Sequence, residues 1–223
     1  MSTLPIVTVR DDSPWGRAAL DWAATHAHLT GAPLEVHPPT SDQLHDLLLT
    51  STRAGVVVVS HRGDSRTSFG LGALVLPLAR RAASDVVVVR GTPEALRGEH
   101  HRVTALITGG EHDDLALARA IDLAARRGSA LRVLHATPPL PVRVDAPDAF
   151  LAHADEALTG VRHTSVLARM HPNEAVARYA DTDLIVLGDP GPTARAALHH
   201  ARCPVFVAHR APVEPVEPVG RDV

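Results

Sequence analysis

The sequence predicts an α/β protein of two tandem doubly wound parallel-sheet domains, the first of them shortened. Three observations carry that expectation. Val56–Val59 and Val86–Val89 are β-branched from end to end, as parallel strands covered on both faces are. Segments with helical caps and lengths alternate with such runs, the pattern of a doubly wound sheet. The chain also repeats itself, at an offset that changes along its length.

The repeat shows where the two copies differ. Leu29 to Val36 matches Arg126 to Val133 at an offset of 97. Val57 to Gly63 matches Ile185 to Gly191 at an offset of 128. Arg80 to Val86 matches His199 to Val205 at an offset of 119. The first copy therefore lacks 31 residues between its second strand and its Val-rich strand, enough for a helix and a strand, and the second lacks 9 just after Gly191.

Each element has a local reason. Ile6 to Arg10 reads as a strand. Asp12 or Ser13 caps the helix that follows, Pro14 suits its first position, and Gly31 suits its end. Leu34 to His37 is a short strand, and Ser41 caps a helix through Arg53. In the second copy strands are expected near Val103–Thr108, Leu131–His135, Val161–Ala168, Leu184–Leu187 and Val205–Ala208. Helices are expected near Asp113–Arg127, Pro147–Leu158, Asn173–Ala180 and Ala194–Ala201. The domains then span 1–91 and 102–210. Gly91 to Arg102 is a linker, and 211–223, with its Pro-Val-Glu-Pro-Val-Glu-Pro pattern, is an extended tail.

Composition narrows the function. The 223 residues are 45% apolar but only 3% aromatic, so the core must be Val, Leu, Ile and Ala. A net charge of −3 argues against a nucleic-acid partner, which needs a basic excess. The apolar stretch around Leu71 to Ala79 is broken by Gly72 and Pro77 and is too short for a membrane span. The start lacks a basic, then apolar, leader pattern. The lone Cys203 allows no intrachain disulfide, and a cytoplasmic location is expected. Neither His100-His101 nor His199-His200 has metal-ligand spacing, so solvated linker and helix-end roles are expected and no metal. His135, at a strand end, is expected to pack.

The residues that carry a family resemblance are Asp12-Ser13-Pro14 with Arg17 to Ala23, then Arg127 to Ala136, Asp183 to Gly188 and Ala197 to Val205. On these the chain resembles the universal stress protein family in its tandem form. The resemblance implies a five-stranded, Rossmann-like sheet per full domain, of the adenine-nucleotide alpha-hydrolase type. It also implies, in members that bind ATP, a Gly-x2-Gly-x9-Gly-Ser/Thr loop after the fourth strand and an aspartate after the first. Such a loop brings backbone N–H groups and a helix N-terminus to the phosphates.

In the first copy Asp11 matches the aspartate, Ser60 replaces the first glycine and Gly63 fits the second. Gly72 followed by Ala73 fits the last pair with a spacer one residue short. Arg62 and Arg66 could help a phosphate, so Asp11, Gly63, Arg66 and Gly72 are the candidate nucleotide-binding residues. Pro77 should kink the following helix or delay its start to near Leu76. In the second copy Thr108 replaces the aspartate, and Pro192 follows Gly191 where the phosphate loop should be. No catalytic residue stands out, and no P-loop lysine is present.

The expected function is a universal stress protein-like regulator or adaptor in the stress response, without turnover, acting on a protein partner of unknown identity. The alternative is a switch that binds ATP or another adenine nucleotide in the first domain only. A third is a small-molecule carrier. The final strands, Val86–Val89 and Val205–Ala208, carry no charge or proline that would block pairing. They are expected to pair antiparallel within one chain, or between chains in a homodimer.

Overall fold

A computed structural model of the protein describes residues 4–61, 72–137, 147–188 and 191–209. The first half runs β1 (Ile6–Val9), α1 (Pro14–Thr30), β2 (Leu34–His37), α2 (Gln43–Ser51), β3 (Val56–Ser60), α3 (Gly72–Arg81) and β4 (Asp85–Val89). A short α4 (Pro93–Arg97) leads to the second half. That half runs β5 (Arg102–Ile107), α5 (Asp113–Arg127), β6 (Ala130–Ala136), α6 (Pro147–Ala157), β7 (His163–Ala168), α7 (Pro172–Arg178), β8 (Leu184–Leu187), α8 (Pro192–His200) and β9 (Val205–Val207). The candidate residues Gly63 and Arg66, and the tail 211–223, lie outside the described residues.

The described strands form one sheet in the order β2-β1-β3-β4-β9-β8-β5-β6-β7. Each half is parallel within itself. The halves do not remain separate sheets, because β4 and β9 pair antiparallel, Val86 with Val207, Val87 with Phe206 and Val88 with Val205. Left apart, each would be an open apolar edge. The first half has neither the strand nor the helix that would match β7 and α6. The cost shows at Val36 of β2, which is 44% exposed, whereas its match Val133 is fully buried.

Helices cover both faces. One apolar layer joins α1, α5 and α6 to the sheet. The other joins α2, α3, α7 and α8. Both layers draw on both halves, as the aromatic-poor composition requires, with Val, Leu and Ala filling them.

The joint between halves is also polar. Asp85, at the start of β4, is buried, which raises its carboxyl above the ordinary range. Its Oδ2 lies 2.9 Å from Arg119 Nε on α5, and its Oδ1 accepts from the His209 backbone N–H at 2.8 Å. At the other end of β4, Arg90 donates to the His199 carbonyl at 3.0 Å.

Several local expectations shift. Asp42, not Ser41, caps α2, accepting from the His45 N–H at 3.2 Å. Ser13 is the cap of α1, with its Oγ 3.0 Å from the Gly16 N–H. The linker is not plain: Thr92 caps α4, Pro93 opens it and Gly98 closes it in the left-handed region. α3 does not start late at Leu76 but at Gly72, with Pro77 inside it. Ala73, whose carbonyl Pro77 cannot serve, is an exposed residue.

Candidate functional site

In the first half β1 lies between β2 and β3, and in the second β5 lies between β6 and β8, so the crossovers leave the first strand of each half in opposite directions. That reversal opens a crevice beyond the strand carboxyl ends, where open α/β sheets hold ligands. In the first half the crevice is a cleft of about 680 Å³. The end of β1 supplies Val9, Arg10 and Asp11, and the end of β3 supplies Val59 and Ser60. Ser13 and Gly16 come from the start of α1, Gln43 from α2 and Leu74 from α3. Three helix N-terminal turns thus border one cleft, an arrangement that favours a negative group.

Asp11 lines this cleft, but one of its oxygens already works locally. Its Oδ1 accepts from the Ser13 N–H at 2.9 Å, shaping the turn into α1. The other oxygen has no hydrogen bond among the described residues. Asp12 is exposed and pairs loosely with Arg10, at 3.9 Å. Gly72 is the first residue of α3, and Leu74, two residues on, lines the cleft. The structure therefore brings Asp11 to the cleft and puts Gly72 at its border. The sequence had not singled out Gln43 and Leu74. Their signal was position alone, in the first turn of a helix that follows a strand.

The matching crevice in the second half is narrowed by the chain itself. The Phe150 ring on α6 lies over Gly109, so that a Cβ built there would fall 2.6 Å from it, and Gly109 has a φ of 82°. Phe150 also packs edge-on against buried His135, centroids 5.4 Å apart. His135 Nδ1 sits 3.1 Å from the Ile107 carbonyl, the packing role expected of it. Gly188, at the end of β8, lets the chain close further: a Cβ there would fall 2.1 Å from the His112 carbonyl oxygen. Ser60 stands at the matching place in the first half, where a side chain needs room. The loss of that glycine thus accompanies the wider cleft and its retention the narrower one. Asp113 is turned inward as well, its carboxylate accepting from the N–H groups of Thr108 and Gly109 at 3.0 and 2.6 Å. What remains is a pocket of about 360 Å³ beside Phe150.

No group of three or more His, Cys, Asp or Glu among the described residues is placed to hold a metal. The closest approach to a nucleophile set is His163, Asp155 and Ser165, at 2.9 Å from the His163 Nε2 to Asp155 Oδ1. There the carboxylate takes both the hydroxyl and the imidazole, so the imidazole cannot deprotonate the serine. Cys203 is fully buried, and burial pushes its thiol up to about 12, which leaves it unreactive. None of the described helices is long and apolar enough to cross a membrane.

No protein-family model matches the sequence, and no curated protein matches it. Solved structures do. A universal stress protein from Archaeoglobus fulgidus DSM 4304 superposes with a TM-score of 0.71 at 14% identity, over 94% of this chain and 97% of its own. The fold is that of a tandem universal stress protein. A second match is the cytoplasmic domain of a prokaryotic cation chloride cotransporter, TM-score 0.63 at 14% identity, covering 95% of this chain and 96% of that one. A universal stress protein in complex with cAMP matches 48% of this chain at a TM-score of 0.41.

Proposed function

We propose that the chain is a cytoplasmic regulator or adaptor of universal stress protein type that senses one small ligand and turns nothing over. The ligand is an adenine nucleotide, held in the first half only, and the second half is scaffold. One observation supports this best. The crevice between β1 and β3 is a cleft of about 680 Å³ bordered by three helix N-termini, while the equivalent crevice between β5 and β8 is narrowed by Phe150 and the His112 backbone, leaving about 360 Å³. The absence of turnover is supported by chemistry: the described lining offers Arg10, Asp11, Ser13 and Ser60, a set that can hold a phosphate but has no imidazole to relay a proton and no lysine. A protein partner would read the occupied cleft.

Calorimetry with ATP, ADP and AMP tests the reading. One site per chain is expected, lost in Leu74→Trp, which fills the cleft, and kept in Phe150→Ala. Failure of all three nucleotides to bind would overturn the ligand assignment. Steady phosphate release that vanishes in Leu74→Trp would overturn the absence of turnover.

A further inference from the structure

The strand and helix missing from the first half leave their mark on β2. In the second half β6 is flanked on both sides, by β5 and by β7. Its counterpart β2 has β1 on one side and, among the described strands, ends the sheet on the other. Side chains show the loss: Val36 is exposed, and Leu34 is half-buried where its match Leu131 is buried. The backbone shows which groups are left over. The Pro33 and His37 carbonyls accept from the N–H groups of Ile6 and Arg10, at the two ends of β1, both at 2.8 Å. Backbone groups of successive strand residues point to opposite sides, so those of Leu34 and Val36 point away from β1. They have no partner among the described residues.

Such an edge invites another strand, and proteins blunt it with short length and charge. β2 is short and carries Glu35, but that charge does not guard against every strand. Glu35 and His37 share one face of β2, 3.3 Å apart. An acid and a base two residues apart suit few strands, and one of them is the same strand run backwards. Paired antiparallel about a twofold axis at Val36, Glu35 faces the second copy's His37, and His37 faces the second copy's Glu35. The two Val36 residues then exchange N–H···O=C bonds, and each Leu34 N–H reaches the second copy's Pro38 carbonyl. Slid by two residues one way, the pairing sets glutamate against glutamate; the other way, imidazole against imidazole. The groove on this side of α2, about 420 Å³, is lined by Asp46, Leu49 and Arg53 as well as His37, so it too offers an acid, a base and an exposed leucine.

We propose that β2 is a self-association edge: two copies of this chain pair antiparallel through residues 34–38, joining their sheets into one across a twofold axis. The interface is isologous, so it closes at two chains. It is small, at the weak end of specific interfaces, so the dimer is reversible and forms as concentration rises. Neither Leu34 nor Val36 lines the β1–β3 cleft, so the pairing does not rest on what binds there.

The test is sedimentation equilibrium on the full chain over a concentration series. The mass is expected to rise from one chain to two and stop there. Val36→Pro removes an N–H that faces away from β1, a change an edge strand tolerates. It should weaken the dimer by about tenfold or more, through the lost Val36 bonds, and leave the ladder to β1 in place. Glu35→His sets imidazole against imidazole and should weaken the dimer too; adding His37→Glu to that variant restores opposite partners and should restore the dimer. A chain that stays single at every concentration overturns the proposal. So does growth beyond two chains, which means that β2 meets a different edge, or a dimer that Val36→Pro leaves intact. If that variant does not fold, a double exchange that dimerises no better than Glu35→His alone overturns it.

Discussion

At position 26 the fold holds an imidazole where a proton is unwelcome. Its folded value, about 4, lies below the ordinary 6.5, so the unfolded chain binds the proton more readily. Stability from this residue is complete above pH 6.5 and is lost as pH falls toward 4, a difference of about 3 kcal/mol across that window. His26→Leu, copying Leu123 at the matching place in the second half, should flatten the acid side of the stability curve. Urea titrations at pH 7 and pH 5 would show it. A second residue-scale test concerns Gly109. Gly109→Ala forces a Cβ into the Phe150 ring at a positive φ and should cost about 1–3 kcal/mol. In the Phe150→Ala background only the backbone part of that cost should remain, so a double-mutant cycle should give a clear coupling energy.

Among the elements, α3 carries an internal contradiction. Pro77 sits in its interior, where it removes a hydrogen bond, yet the helix begins five residues earlier at Gly72. Burial of Val75, Leu78 and Ala79 on the sheet offsets this. Pro77→Ala should raise the free energy of unfolding by about 1–3 kcal/mol, short of the full interior penalty because Ala73 faces water. The same helix shows what a sequence can convey. Proline chemistry allows a kink or a late start, and the helix starts early, at Gly72, with Pro77 inside it. Elements whose apolar period and caps agree, such as α1 from Pro14 to Gly31 and α5 over Asp113–Arg127, were legible almost to the residue. The short α4 has its own cap, Pro and Gly, but five residues give no period to read, so the sequence shows only a linker there. At the candidate site, Asp11 was legible through the family motif. The narrowing of the second crevice was not, because Phe150 reaches Gly109 from 41 residues further along the chain.

At the scale of the whole molecule the two halves are not independent. Both apolar layers cross from one half to the other, and β4 is covered by β9. Unfolding should be a single transition, with calorimetric and van't Hoff enthalpies equal within error. Residues 1–91 alone should aggregate, with β4 bare, which size-exclusion of the separate half would reveal. Two resolved calorimetric transitions would refute the shared core. The narrowed crevice has one more consequence, in the shape of a dose–response curve. Two identical sites facing each other can amplify, each occupancy easing the next. On the proposed reading, a chain that has packed a phenylalanine into one of its two crevices keeps a single receptor, and its saturation is expected to be hyperbolic, with a Hill slope of one. Such a molecule reports ligand concentration in proportion over a broad range; any threshold in the response must come from whatever reads it.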